Sequence, residues 1–111
     1  MYDNRKFGEK PQIEYYKSAN IDMVRVPYEI VEISPSIYSW REISIRYVNF
    51  NYKGLVSALI ELQYSPAEMT AVVNNYLLDP EDEEVKREFA EMQACRKAAK
   101  AAARAIMADY E

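Results

Sequence analysis

The chain has 111 residues, of which 50% are hydrophobic and 29% are charged, so its composition is that of one folded domain rather than a disordered protein. Its formal net charge of −4 argues against a general binder of polyanions. With no histidine and only one cysteine, Cys95, the chain lacks the commonest general base and cannot form an intrachain disulfide or a multi-cysteine metal knuckle. We therefore expect no enzyme, with no catalytic residue, no metal, no cofactor and no small-molecule substrate.

Residues 1–20 predict an irregular N-terminal arm. Gly8 and Pro11 interrupt this segment, and its charged residues alternate with aromatic ones. Such an arm is either disordered or docked on a neighbour, and the sequence leaves both alternatives open. We interpret the remaining residues, 21–111, as a single domain.

Residues 22–52 predict the β-rich part of that domain. Apolar and polar residues alternate from residue 22 onwards, which is typical of a strand with one buried face. Pro27 cannot donate a ladder hydrogen bond, so we expect it at a sheet edge or beside a bulge, and the change of phase at 31–33 also predicts a bulge or the strand end. After a turn at 34–36, a second run at 42–52 is expected to pair with the first as an antiparallel hairpin or small sheet, covered by helix on at least one side.

Residues 55–78 predict an αα-hairpin. An apolar face with helical spacing covers 55–63, and a second helix begins at Pro66. Ser65 is the expected N-cap of this second helix, and Glu68 completes a capping box.

A long helix is predicted over 80–108, with Asp79 as its N-cap and Pro80 in its first position. Residues 79–91 hold seven acids and two bases, whereas residues 92–107 hold four bases and no acid. An antiparallel partner helix would place acidic half against basic half, whereas a parallel partner would oppose like charges. The apolar stripe of this helix is rich in alanine after Met92, so we expect it to need such a partner.

Two binding motifs are disfavoured. The two helices of 55–78 have the layout of a DNA-binding helix-turn-helix, but residues 66–78 contain no Lys or Arg, so nucleic acid is an unfavoured partner. The acids at 79–84 invite a calcium-loop interpretation, but no glycine follows Gly54. Carboxylates at a helix N-terminus are already favourable near the helix dipole.

The ten tyrosines of this chain are compatible with a wet core or with an interaction surface, because tyrosine is enriched at interfaces. The basic residues of the long helix form either a solvated face or a surface for an acidic partner. As an interaction surface we predict aromatic residues of the β-rich part together with apolar and basic residues of the helix. These residues are Tyr38, Trp40, Tyr47, Tyr52, Phe89, Met92, Arg96, Lys100 and Arg104.

Three segments carry a resemblance to a known group of proteins. The segments are VRVPYEIVEISPSIYSWREI, LVSALIELQYSPAEMTAVVNNYLLDP and EFAEMQACRKAAKAAARAI. Their order and layout over residues 24–107 resemble small accessory proteins encoded among the tail and virion genes of phages and prophages. The resemblance implies a virion-associated or tail-assembly role and assigns no catalytic residue.

The expected fold is therefore α+β, with a short antiparallel sheet packed on a helical hairpin and followed by a long C-terminal helix. The expected function is that of a non-enzymatic structural or assembly protein, whose partner is a second copy of itself or another phage structural protein. The alternative is a small acidic regulatory protein that binds and inhibits a host or phage protein. No apolar run of signal or membrane-spanning length is present, so we expect the host cytoplasm or the virion as its location.

Overall fold

The computed structural model describes residues 5–110, and within them it confirms an α+β fold. The described chain forms four antiparallel strands, a short 3-10 helix and three α-helices. The strands are β1 (Lys6–Gly8), β2 (Glu14–Ser18), β3 (Ile21–Ser34) and β4 (Ile37–Arg46), and the helices are α1 (Tyr52–Glu61), α2 (Pro66–Leu78) and α3 (Glu83–Tyr110).

The sheet has the strand order β1-β4-β3-β2, with the β3–β4 hairpin at its centre. The predicted antiparallel pairing is confirmed, because Val24 and Val26 of β3 lie opposite Ile45 and Ile43 of β4. The predicted bulge is also confirmed: the register shifts after Tyr28 and again after residue 32. Glu29 adopts a φ of 51°, a left-handed conformation that suits an extra residue in a bulge.

The prediction of an irregular arm over residues 1–20 is wrong for the described part, which contains β1 and β2. Both are short outer strands of the sheet, and neither contains a fully buried residue. Hydrophobic alternation is therefore absent, although it is the signal that identifies a strand in a sequence. Residues 1–4 of the predicted arm lie outside the described residues.

The prediction of a strand over 42–52 is wrong after Arg46, where β4 ends. A 3-10 helix, Tyr47–Asn49, follows, and α1 begins at Tyr52 rather than at residue 55. The side chain of Asn51 caps α1 by accepting a hydrogen bond from the amide of Gly54 over 2.8 Å. This local cap starts the helix inside what the alternating pattern indicated as a strand.

The core lies between one face of the sheet and the helices α1 and α3. It is formed by residues from all three: Val24, Val26, Ile43 and Ile45 from the sheet, Leu55, Leu59 and Ile60 from α1, and Ala99, Ala103 and Ile106 from α3. Within the confirmed fold class, the sheet therefore rests on α1 and α3, whereas α2 packs on α3 instead of on the sheet.

The predicted start of α2 is confirmed in detail. The Ser65 hydroxyl accepts a hydrogen bond from the Glu68 amide over 3.1 Å, and the Glu68 carboxylate accepts one from the Ser65 amide over 3.0 Å. These bonds from Ser65 lower the pKa of Glu68. The stabilisation is therefore present above the ordinary pKa of a glutamate and is lost as the pH falls through the lowered value.

Replacing Ser65 with alanine is expected to lower the free energy of unfolding by about 0.5–2 kcal/mol, because the Glu68 amide loses its acceptor. Glu68→Ala is expected to cost less, since the Ser65 side-chain cap remains. Urea denaturation of both single variants and of the double variant tests this, and the double variant should lose less than the sum because the two bonds form one motif. Unchanged stability in Ser65→Ala would contradict the assignment.

The long helix is confirmed, but its predicted N-cap is wrong. Asp79 ends α2, where its amide donates to the Asn75 carbonyl over 3.0 Å. Asp82 instead caps α3, because its carboxylate accepts a hydrogen bond from the Val85 amide over 3.0 Å. Pro80 therefore lies in the turn between the helices, and the same N-cap chemistry operates three residues later than the sequence indicated.

Candidate docking surfaces

One end of the sheet exposes a group of large apolar side chains, which we call the sheet-end patch. Its members, Phe7, Val31, Ile33 and Ile37, are between 46% and 67% exposed. Phe7 and Val31 both lie opposite Ser39, from the two strands that flank β4, so they share one face. Ile37 precedes Ser39 by two residues on that face, and Ile33 lies at the second register shift of the hairpin.

The sheet-end patch is the uncovered continuation of the face that carries the core. Ser39, Ile43 and Ile45 lie on the same face of β4, and the helices cover Ile43 and Ile45. Between patch and core, Arg5 donates from Nε to the Ser39 hydroxyl and from Nη2 to the Glu29 carbonyl, each over 2.6 Å. These bonds tie β1 to the bulge of β3 and hold the three strands of the patch together.

The outer edge of β3 is protected against pairing with another strand. The β2–β3 ladder ends at Arg25, so further along β3 no strand of the described residues pairs with this edge. Pro27, the bulge at Glu29 and the charge of Glu32 follow along the same strand. Proline, bulges and charges are the features that prevent edge-to-edge pairing. The side-chain face, rather than the backbone edge, is therefore the surface available for docking at this end.

A second exposed apolar group ends α2. Leu77 and Leu78 are 72% and 86% exposed, and we call them the leucine corner. The inner side of α2 packs on α3, where Tyr76 stacks on Phe89 with ring centroids 4.1 Å apart. The leucine corner lies outside this stacking contact.

The structure does not bring the four predicted aromatic residues of the β-rich part together. Tyr38 and Trp40 lie on the face of β4 opposite the core, where Trp40 is half-buried and its Nε1 has no hydrogen-bond partner among residues 5–110. A hydrogen bond to Glu32 raises the pKa of Tyr38. Tyr47 lies in the 3-10 helix at the other end of the sheet, and Tyr52 lies in α1.

The predicted apolar residues of the long helix are engaged within the chain. Met92 is 1% exposed beside α2, and Phe89 stacks on Tyr76. The prediction that the alanine-rich stripe needs a second chain to bury it is wrong, because Ala99, Ala103 and Ile106 lie in the core of the chain itself. The small side chains of Ala99 and Ala103 let α1 and the sheet approach α3 closely. Larger residues on α1 and the sheet therefore supply the buried area.

The three predicted basic residues occupy different environments on α3. Arg96 is half-buried beside α2 and donates to the Gln93 side chain over 3.5 Å. Lys100 is exposed, and the guanidinium of Arg104 lies 5.6 Å from the centre of the Tyr52 ring. At that distance a cation–π contact contributes, so Arg104 joins α3 to the start of α1.

The other end of the sheet carries an aromatic cluster. The Tyr15 and Tyr47 rings lie 6.0 Å apart, and the Phe50 and Tyr110 rings lie 4.9 Å apart. A hydrogen bond with Tyr110 raises the pKa of Tyr15 to about 12. The last turn of α3 is thus fixed to β2 and to the segment before α1, while Tyr15, Tyr47 and Tyr110 remain about half exposed.

Within residues 5–110, no group of three or more cysteine and carboxylate side chains can hold a metal ion. Burial raises the pKa of the Cys95 thiol, which opposes formation of the nucleophilic thiolate. None of the helices in this range combines the length and hydropathy needed to cross a bilayer.

No protein-family model, curated protein or solved structure matches the chain. Sequence reasoning missed both the sheet-end patch and the leucine corner. For the patch, a signal was present in the apolar residues that flank the turn at 34–36, but only the register with β1 adds Phe7 to them.

Proposed function

We propose that this chain is a non-enzymatic structural or assembly protein of a phage tail or virion, which acts by self-association through the sheet-end patch. The observation that carries the proposal is the exposure of Phe7, Val31, Ile33 and Ile37 on one ordered end of the sheet. The resemblance of residues 24–107 to phage accessory proteins supports the biological setting.

The energetics of the patch favour association. Soluble monomers rarely expose large contiguous apolar patches unless these bind something. Fully burying a Val, Ile or Phe side chain contributes about 1.5–3 kcal/mol relative to leaving it exposed. Four half-exposed side chains of this kind supply several kcal/mol, and the hydrogen bonds of Arg5 order the strands beforehand, which lowers the entropy cost of docking.

Light scattering of the purified chain and of a patch variant tests the proposal. The wild type is expected to form a defined multimer at micromolar concentration, and Val31→Lys with Ile37→Lys is expected to be monomeric with an unchanged circular dichroism spectrum. Val48→Lys is the matched control, because Val48 is an exposed valine outside the patch, and it should retain the wild-type mass.

Two results would contradict self-association through the patch. The first is a wild type that is monomeric at every concentration, which would favour the alternative of a small acidic regulatory protein that binds one other protein. The second is a double variant with the same mass as the wild type, which would show that the multimer uses another surface.

A further inference from the structure

We propose that a groove beside the last turn of α3 binds a short apolar peptide that carries an ammonium group at one end and a carboxylate at the other. The groove has a volume of about 530 Å³ and lies between the end of α3, the outer edge of β3 and the loop that joins β1 to β2. Its lining residues do not include those of the sheet-end patch, so the inference is independent of the proposed self-association.

The floor of the groove is apolar and already packed. Ile106 of α3 is 5% exposed and belongs to the core, and Ile13 packs against the same core from the loop before β2. Pro27 is buried and lies on the part of β3 beyond the end of the β2–β3 ladder. The floor is therefore formed before an occupant arrives, as is usual for ligand sites of this size.

One wall of the groove is Tyr110, whose position is also fixed. Its ring lies 4.9 Å from that of Phe50, and it shares a hydrogen bond with Tyr15, which lines the same groove. Tyr15 and Tyr110 are about half exposed, so they present apolar ring surface to an occupant while they stay anchored. Apolar side chains of a peptide can bury themselves against this surface without ordering it first.

Two side chains of opposite charge line the groove, Lys10 and Asp109. They do not form an ion pair with each other, and neither has another ion-pair partner among residues 5–110. An occupant that covers the apolar floor removes water from both charged groups, which is unfavourable unless the occupant replaces the lost interactions. The groove therefore selects an occupant with a cation for Asp109 and an anion for Lys10.

The end of α3 determines the orientation of the peptide. Asp109 lies in the last turn of this helix, where the backbone carbonyl groups concentrate negative partial charge. An ammonium group is favoured there by the carboxylate and by the helix end together. Lys10 belongs to the loop between β1 and β2, so the carboxylate of the peptide is expected on the loop side.

NMR titration of the isotope-labelled full chain with the dipeptide leucyl-phenylalanine tests the site. With both ends free, the dipeptide is expected to bind with a Kd of about 1 mM or tighter and to shift the amide signals of Ile13, Ile106 and Tyr110. Acetylation of its amino end removes the cation, and amidation of its carboxyl end removes the anion. Each modification is expected to weaken binding about fivefold, the upper end for an exposed ion pair.

Two variants assign each charge to its partner. Asp109→Asn is expected to weaken binding of the free and amidated dipeptides about fivefold, and to leave the acetylated dipeptide unaffected because that form has no ammonium group. Lys10→Gln is expected to weaken binding of the free and acetylated dipeptides and to leave the amidated one unaffected. Lys100→Gln, at an exposed lysine of α3 outside the groove, is the control and should bind all three as the wild type does.

Two results would overturn the inference. The first is the absence of saturable shifts with the free dipeptide up to about 10 mM, which would show that the groove is not a peptide site. The second is equal affinity for the free, acetylated and amidated forms, which would leave Lys10 and Asp109 without a role in selection. Both residues are exposed, so their variants should keep the wild-type circular dichroism spectrum, and loss of binding would not reflect unfolding.

Discussion

Gly54→Ala is expected to lower the free energy of unfolding by about 3 kcal/mol or more, at the upper end of the cost of overpacking. A Cβ atom at this position would lie 1.8 Å from the carbonyl oxygen of Asn49, which belongs to the 3-10 helix. Because the obstacle is backbone, relief requires movement of the 3-10 helix or of α1. Either movement disturbs the cap that Asn51 makes to the Gly54 amide.

The sign of the change in the free energy of unfolding distinguishes helix propensity from close approach of the backbone. In an ordinary helix interior, alanine is more stable than glycine by about 1 kcal/mol, so propensity alone predicts that Gly54→Ala stabilises α1. The close approach of the Asn49 backbone predicts instead that Gly54→Ala destabilises the protein. Urea denaturation distinguishes them, with Ser57→Ala on the exposed side of α1 as a control expected within about 0.5 kcal/mol of wild type. A Gly54→Ala protein about 1 kcal/mol more stable than wild type would show that the Asn49 backbone moves without cost.

Gly54 also illustrates which parts of the fold the sequence can predict. The start of α2 is predictable because its signal is local: Ser65, Pro66 and Glu68 cap the helix with atoms that lie within one turn. Gly54 is also within a few residues of Asn49, but its role depends on the 3-10 helix that turns the chain back. The sequence predicts this helix only from residue 55 onwards, whereas the structure places Gly54 inside α1.

The strands show the same distinction. The β3–β4 hairpin is predictable because its buried face alternates, with Val24, Val26, Ile43 and Ile45 all in the core. The outer strands β1 and β2 bury too little to alternate, and only their pairing with the hairpin makes them strands. The sheet-end patch depends on that pairing, since Phe7 joins it from β1. Its prediction from sequence therefore requires tertiary information that local patterns do not contain.

Two apolar residues near the α2–α3 contact have different surroundings. Met92 is 1% exposed and lines a groove with Met69 and Val73 of α2, whereas Leu78 is 86% exposed. Met92→Ala is expected to lower the free energy of unfolding by about 2–5 kcal/mol, because it leaves a cavity between the helices. Met92→Leu, which conserves volume, is expected to cost less than about 1.5 kcal/mol.

The two positions are expected to give opposite results when stability and mass are measured together. At concentrations of urea where Met92→Ala is still folded, its light-scattering mass should equal that of the wild type, because Met92 packs inside its own chain. Leu78→Gln should stay within about 0.5 kcal/mol of wild-type stability, since the site is exposed. A Met92→Ala protein of wild-type stability and reduced mass would instead show that Met92 lies at an interface between chains.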